Sequence, residues 1–239
     1  ISTVTAARIF DGQSRGESGE ENELSFENFP HVALSKTYNH DAQVPDSAGT
    51  ATAMLTGAKT RIGVLSVAHN QPRGQCAGAD AYHLQSLVEK AEKAGMKTGV
   101  VTTTRLTHAT PGSTYAHSPS RDWEDDTELT EEARMEGCKD IARQFIEFPY
   151  GDGIDVAMGG GRRHFLPDTV NDPEHSDKTG RRKDGRNLVE EWQEKHPGGV
   201  FAWNESGFNT VTAETPKFLG LFEQSHMRYL SLIHISEPT

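Results

Sequence analysis

Hydrophobic and polar positions alternate with two different periods along this chain, and each period predicts its own elements. Over residues 81–94 the apolar positions Leu84, Leu87, Val88, Ala91 and Ala94 recur at helical spacing, and Gly95 provides a stop. The following MKTGVVTTT (96–104) is rich in β-branched residues and reads as a buried strand. A second amphipathic helix is predicted over 130–148, with Met135, Cys138, Ile141, Ala142 and Phe145 on its apolar face. IDVAM (154–158) predicts another short strand, and three glycines follow it. Upstream, HVALSKTY (31–38) has apolar positions at Val32 and Leu34 and reads as a strand. In the segment after it, Pro45 blocks helix, Asp46 or Ser47 can cap, Ala51 to Leu55 favour helix, and Gly57 ends it. Residues 1–10 read as helix, 11–28 as an acidic loop rich in Gly and Ser, and 168–187 as a polar surface excursion. There is no internal repeat. Helices alternating with short apolar strands predict an α/β layered fold with a largely parallel sheet.

Composition changes this picture in a few places. The 239 residues carry 35 acids against 24 bases, a net charge of -11. That balance argues against a general nucleic-acid binder, which carries a basic face. It also means that any anionic substrate must be attracted locally. No run approaches the roughly 18 apolar residues of a membrane span. No signal peptide is visible, and the chain opens on ISTVTAARIF rather than on Met. Cys76 and Cys138 are too few for a disulfide scaffold; they form one bridge in an oxidising compartment or stand as two buried thiols. The last ten residues, LSLIHISEPT, have two readings: an apolar terminal strand, or the translated read-through of a sequencing adapter. The second is adopted as the expectation, with residues 1–229 as one partial domain and 230–239 as a foreign tail.

Two segments carry chemistry. VPDSAGTATAMLTG puts Ser47 where an extended segment gives way to a helix, so backbone N–H groups and the positive helix end face an incoming anion. A bare serine is a poor nucleophile and needs a base or a metal. The same residues also suit a plain helix cap. VTTTRLTHATPGSTYAHSPSRDW runs from a strand into a loop holding His108, Thr110, His117, Arg121 and Asp122. Active sites of open α/β sheets lie beyond the carboxyl ends of strands. An arginine there presents a planar fork that matches two phosphate oxygens.

VPDSAGTATA, GVVTTTRLTHATP and AHSPSRDW, together with GCKDIA, IDVAMGGGRRHFLP and LGLFE, closely resemble the alkaline phosphatase family over most of residues 1–229. His108 makes the animal-like branch, found also in bacteria, the nearer one. The resemblance implies a three-layer α/β sandwich that hydrolyses phosphate monoesters at alkaline pH with two Zn2+ and one Mg2+. It implies Ser47 as the phosphate-accepting nucleophile and a zinc ligand, Arg121 as the phosphate clamp, and Asp46 as the carboxylate that orients Arg121. Thr110 matches a magnesium ligand, and His108 stands near a magnesium-bound water. Cys76 and Cys138 fall where family members form a disulfide, which suits an exported protein, whether periplasmic, secreted or membrane-anchored. Glu174, Phe222 (through its carbonyl) and Glu223 resemble part of an additional Ca2+ site, although as bare residues the two acids are also ordinary surface groups. Phosphate monoesters and inorganic phosphate are the implied partners, with a homodimer in the full-length protein.

The departures are as informative. The family's Gly-Asp-Gly segment, its remaining zinc ligands and its magnesium glutamate have no counterpart here. Only Ser47 and Thr110 remain as direct ligands, too few for a catalytic zinc. The expectation is a chain inactive by itself, poorly cooperative in unfolding and prone to aggregate. A non-catalytic calcium- or partner-binding relative is the alternative, and retention of Asp46, Ser47 and Arg121 together argues against it.

Overall fold

The computed structural model describes residues 2–228, and they form two compact units, with the division in the chain between Lys36 and Thr37. The expected foreign tail at 230–239 lies outside the described residues.

The first unit holds helix α1 (Ser2–Ser14) and a single 3-10 turn (Ser25–Asn28). The helix runs four residues past the predicted end, into the segment read as loop. Asn22 folds back on it, donating to the Arg8 carbonyl at 2.9 Å and to Asp11 at 2.9 Å. The strand expected at 31–38 does not form. Val32 and Leu34 are 94% and 98% exposed, and no described strand pairs with the segment. Two alternating apolar residues without a sheet neighbour have neither ladder bonds nor a surface to cover them.

The second unit is built on four parallel strands in the order β1-β2-β4-β3: β1 (Gly99–Arg105), β2 (Val156–Gly160), β3 (Val200–Ala202) and β4 (Phe218–Leu221). Helices fall between them: α2 (Ser47–Thr56) and α3 (Leu87–Lys93) before β1, then α4 (Ala109–Gly112), α5 (Glu131–Met135) and α6 (Ile141–Ile146) before β2. Helix α7 (Leu188–Lys195) precedes β3 and α8 (Glu205–Phe208) precedes β4. This is the predicted α/β class with a parallel sheet. Val100, Ala157 and Leu219 are buried in a core with Phe145, Phe165 and Trp192. Strand β1 is an edge strand, so the expectation of a fully buried run fails at Val101, which is 69% exposed.

Two predicted helices are shorter than their apolar periodicity. Only Leu87–Lys93 of residues 81–94 is α-helical, and its face is inverted: Leu87 is exposed while Glu89 and Glu92 are buried. Glu89 lies 2.8 Å from the His117 ring, and Glu92 accepts from Thr98. The predicted 130–148 helix breaks into α5 and α6 at Gly137, which takes φ 79°, a region open to glycine. Met135 is consequently exposed. Cys138 follows the break and forms a disulfide with Cys76, with Cα atoms 5.9 Å apart, beside a small core of Trp123, Leu129 and Ala133. Residues 168–187 do run over the surface, but two buried ion pairs anchor them. Asp172 meets Arg162 at 2.8 Å, and Arg182 meets Asp140 at 2.9 Å.

Candidate active site

Helix α2 begins at Ser47, and Asp46 caps it by accepting from the Gly49 amide at 3.0 Å. The turn is tight: a Cβ on Gly49 would sit 2.3 Å from the Asn39 side-chain oxygen, so a larger residue would have to displace Asn39. The Ser47 hydroxyl makes no hydrogen bond to a described residue. The amides of the first helical turn, apart from those of Gly49 and Thr50, also have no acceptor among the described residues. The result is a half-buried hydroxyl at the positive end of a ten-residue helix.

Asp46 does more than cap. Its Oδ2 accepts from the Gly63 amide at 3.0 Å and from Arg121 Nη1 at 3.0 Å, and Asn39 Nδ2 donates to Oδ1 at 3.0 Å. Burial raises the Asp46 pKa, but these bonds from Gly49, Gly63, Arg121 and Asn39 outweigh it and hold the carboxyl below its ordinary range. Arg121 arrives through the loop after α4, where its own amide donates to the Gly63 carbonyl at 2.8 Å. Its Nη2 meets His108 Nε2 at 3.1 Å. Because that nitrogen accepts, the ring proton is assigned to Nδ1, which is buried without a partner. Burial, then the charges of Arg121 and Arg105, lower the His108 pKa to about 4. His108 is therefore neutral above about pH 4.

Behind His108 stands a group that sequence reading missed. Arg105, the last residue of β1, binds Glu124 through Nη2 at 2.5 Å and Nε at 2.8 Å, and Thr107 Oγ1 donates to the same carboxylate at 2.6 Å. Arg105 Nη1 lies 2.6 Å from His226 Nε2, and the His226 ring meets His108 edge-on at 5.1 Å. Burial raises the Glu124 pKa, but Arg105, His164 and Thr107 outweigh it and hold it at about 2. Arg105 was legible as a residue at the carboxyl end of a parallel strand. His226, 121 residues away, had no local signal.

The structure thus brings Ser47, Asp46, Arg121 and His108 together. Thr110 follows two residues after His108, on α4, and makes no hydrogen bond to any of these four side chains. That residue is exposed on α4 and lines an apolar cavity of about 340 Å³ with Ala51, Met54 and Thr114. Ser47 and Thr110 do not by themselves make a zinc or magnesium site, because the oxygens of the neighbouring Asp46 are already spent on hydrogen-bond donors. Glu174 and Glu223 do converge. With His175, which the sequence did not single out, they present ligand atoms all within 4.8 Å of one another, and Phe222 directly precedes Glu223 in the chain. A second such cluster, Asp125, Glu128 and His164, is already charge-compensated. His164 Nδ1 is 2.6 Å from Asp125, and Arg181 reaches Glu128 at 3.0 Å.

Among relatives, an alkaline phosphatase of Gadus morhua is 45% identical over 236 residues, covering 96% of this chain and 49% of the relative. The human tissue-nonspecific isozyme of alkaline phosphatase is 44% identical, covering 100% of this chain and 47% of its own length. The chain therefore spans about half the length of the curated relatives it matches. In fold, a mutant TAB5 alkaline phosphatase with Mg bound in its M3 site superposes with a TM-score of 0.64 at 23% identity, covering 96% of this chain and 51% of that one. The profile described as alkaline phosphatase matches residues 1–236, and with these relatives it establishes that the chain belongs to the alkaline phosphatase family.

Proposed function

We propose that this chain is the nucleophile-bearing part of a metal-dependent phosphomonoesterase that works at alkaline pH through a phosphoserine on Ser47. The observation that carries this reading is the unengaged Ser47 hydroxyl at a helix N-terminus, beside an arginine held by Asp46 and His108. Arg121, fixed on both sides, offers its fork to two phosphoryl oxygens, and the free amides of the first helical turn offer further donors. In the first half-reaction Ser47 Oγ bonds to phosphorus as the ester P–O bond breaks, and the alcohol leaves with a proton. In the second, water takes the phosphoryl group, inorganic phosphate departs, and the serine hydroxyl is restored. Positioning and preset charge do most of the work, because the transferred group needs little else from the protein.

Two zinc ions and one magnesium ion, when bound, would supply positive charge to the serine, phosphoryl and leaving oxygens. Most of their ligands would have to come from outside residues 1–239. By itself this chain is then inactive. Glu174, Glu223 and the Phe222 carbonyl are the proposed Ca2+ ligands, with hard oxygens suited to that ion. The Cys76–Cys138 bridge supports an exported protein, and no described helix is long and apolar enough to cross a membrane. Substrates are proposed to be phosphate monoesters in general, and the assembly a homodimer.

The test is zinc-dependent release of phosphate from p-nitrophenyl phosphate. A protein of the relatives' length that carries this chain is expected to turn it over, its Ser47→Ala variant is not, and residues 1–239 alone are not. Activity of the variant equal to that of the parent would overturn the reading.

A further inference from the structure

A second arginine stands at the edge of the same site. Arg73 lies against Gly63, so closely that a Cβ there would come 2.5 Å from its Cζ and its Nε. Gly63 is also at φ 75°, a conformation that glycine adopts without strain. This is the residue whose amide donates to Asp46 and whose carbonyl accepts from Arg121. One residue therefore holds the clamp through its backbone groups and carries the Arg73 guanidinium against its Cα.

Arg73 is not spent. Its Nη2 donates to Asp122 Oδ2 at 2.7 Å, while Nε and Nη1 have no hydrogen-bond acceptor among the described residues. The pair is open to water, with the side chains of Arg73 and Asp122 42% and 67% exposed. Exposed ion pairs contribute little to stability, so a structural purpose explains this one poorly. Asp122 directly follows Arg121 in sequence, which keeps both guanidinium groups on one loop system. Each guanidinium faces one carboxylate, Arg121 with Asp46 and Arg73 with Asp122, so what Arg73 offers an anion is its unbonded N–H groups rather than net charge.

We propose that Arg73 is a second anion-binding residue, one that favours phosphate esters whose leaving group carries a further negative charge. This rests on the Ser47 reading above. The phosphoryl group is held at Ser47 and Arg121. The leaving group extends outward past Gly63, and a carboxylate or second phosphate on it meets Arg73. Asp122 competes for the same guanidinium and sets how strong the preference is. A neutral leaving group gains nothing from the contact.

The experiment compares sn-glycerol 3-phosphate with 3-phosphoglycerate, which add an alcohol and a carboxylate respectively to the same phosphoryl group. It uses a protein of the relatives' length that carries this chain. The readout is the ratio of kcat/KM for the two substrates. Arg73→Ala is expected to lower the ratio (3-phosphoglycerate over glycerol 3-phosphate) roughly three- to tenfold, mostly through KM, with partial recovery in Arg73→Lys. Asp122→Asn is expected to raise it, a direction that damaged folding would not produce. The differences should shrink with added salt. An unchanged ratio in Arg73→Ala, with both substrates affected alike, overturns the proposal while leaving the Ser47 reading intact, provided that Ser47→Ala abolishes turnover. Full turnover in Ser47→Ala overturns both.

Discussion

Two carboxylate groupings in this protein use their oxygens in different ways. Asp46 is surrounded by donors: two backbone amides, the Asn39 amide and Arg121. Glu174 and Glu223 face each other across His175. Glu174 is compensated by Arg162 at 3.0 Å, and Glu223 has Arg228 at 3.5 Å. The difference lies in how the lone pairs are used. A carboxylate whose oxygens are all engaged by N–H groups positions something, and here it positions Arg121. Two carboxylates turned toward one point suit a hard cation that displaces the looser partners at their rim, His175 and Arg228. Residue type alone does not distinguish these roles, since both are acids near glycines and prolines in the sequence.

The largest expected break of this comparison comes at the Asp46 end. Arg121→Ala should lower kcat/KM by about 100- to 1,000-fold, the usual consequence of losing a donor aimed at transferring charge. Asp46→Asn should have a smaller effect, about tenfold, because the side chain still caps α2 but no longer pairs with a guanidinium. Steady-state kinetics with p-nitrophenyl phosphate check both. If Asp46→Asn instead stripped bound metal without loosening Arg121, its oxygens would be metal-facing and the contrast would collapse. At the other end, the double variant Glu174→Gln, Glu223→Gln should lose a calcium-dependent rise in Tm. Thermal melts with and without added Ca2+ would show it, and a rise that persists would remove calcium from this cluster.

The smallest expected effect concerns a carboxylate outside both groupings. Glu124 resembles Asp46 in being fully engaged, by Arg105 and Thr107. Its folded-state pKa of about 2 lies below the ordinary value of 4.5. The stability it contributes is therefore fully present above about pH 4.5 and is lost as the pH falls through about 2. Glu124→Gln should flatten the fall of unfolding free energy with acid over that window, as read from urea melts at successive pH values. An unaltered slope would mean that Arg105 and Thr107 do not hold the ionised form.

Much of the frame was legible because local signals agreed. Helix α2 begins and ends where Asp46 and Gly57 predicted, since a cap and a left-handed glycine act within one turn. Strands β1 and β2 followed from β-branched and apolar runs. Strands β3 and β4, of three and four residues, are too short to show a period and were missed. The inverted face of α3 was illegible for another reason. Glu89 is buried against His117, a partner 28 positions away by residue number, and pairing at that range overrides local periodicity. The same limit applies at the site. The motifs exposed Ser47, Asp46, His108 and Arg121, whereas Arg105, Glu124 and His226 emerge only when the end of β1 meets the segment after β4.

The central claim is that Ser47 carries the phosphoryl group, and trapping that group tests it most directly. A protein of the relatives' length that carries this chain would be incubated with inorganic phosphate at mildly acidic pH, quenched in acid, digested and mapped by mass spectrometry. The account predicts a single phosphorylated peptide with the phosphate on Ser47, absent from Ser47→Ala. A phosphate mapped to another residue, or turnover with no phosphoserine in any quench, would contradict it.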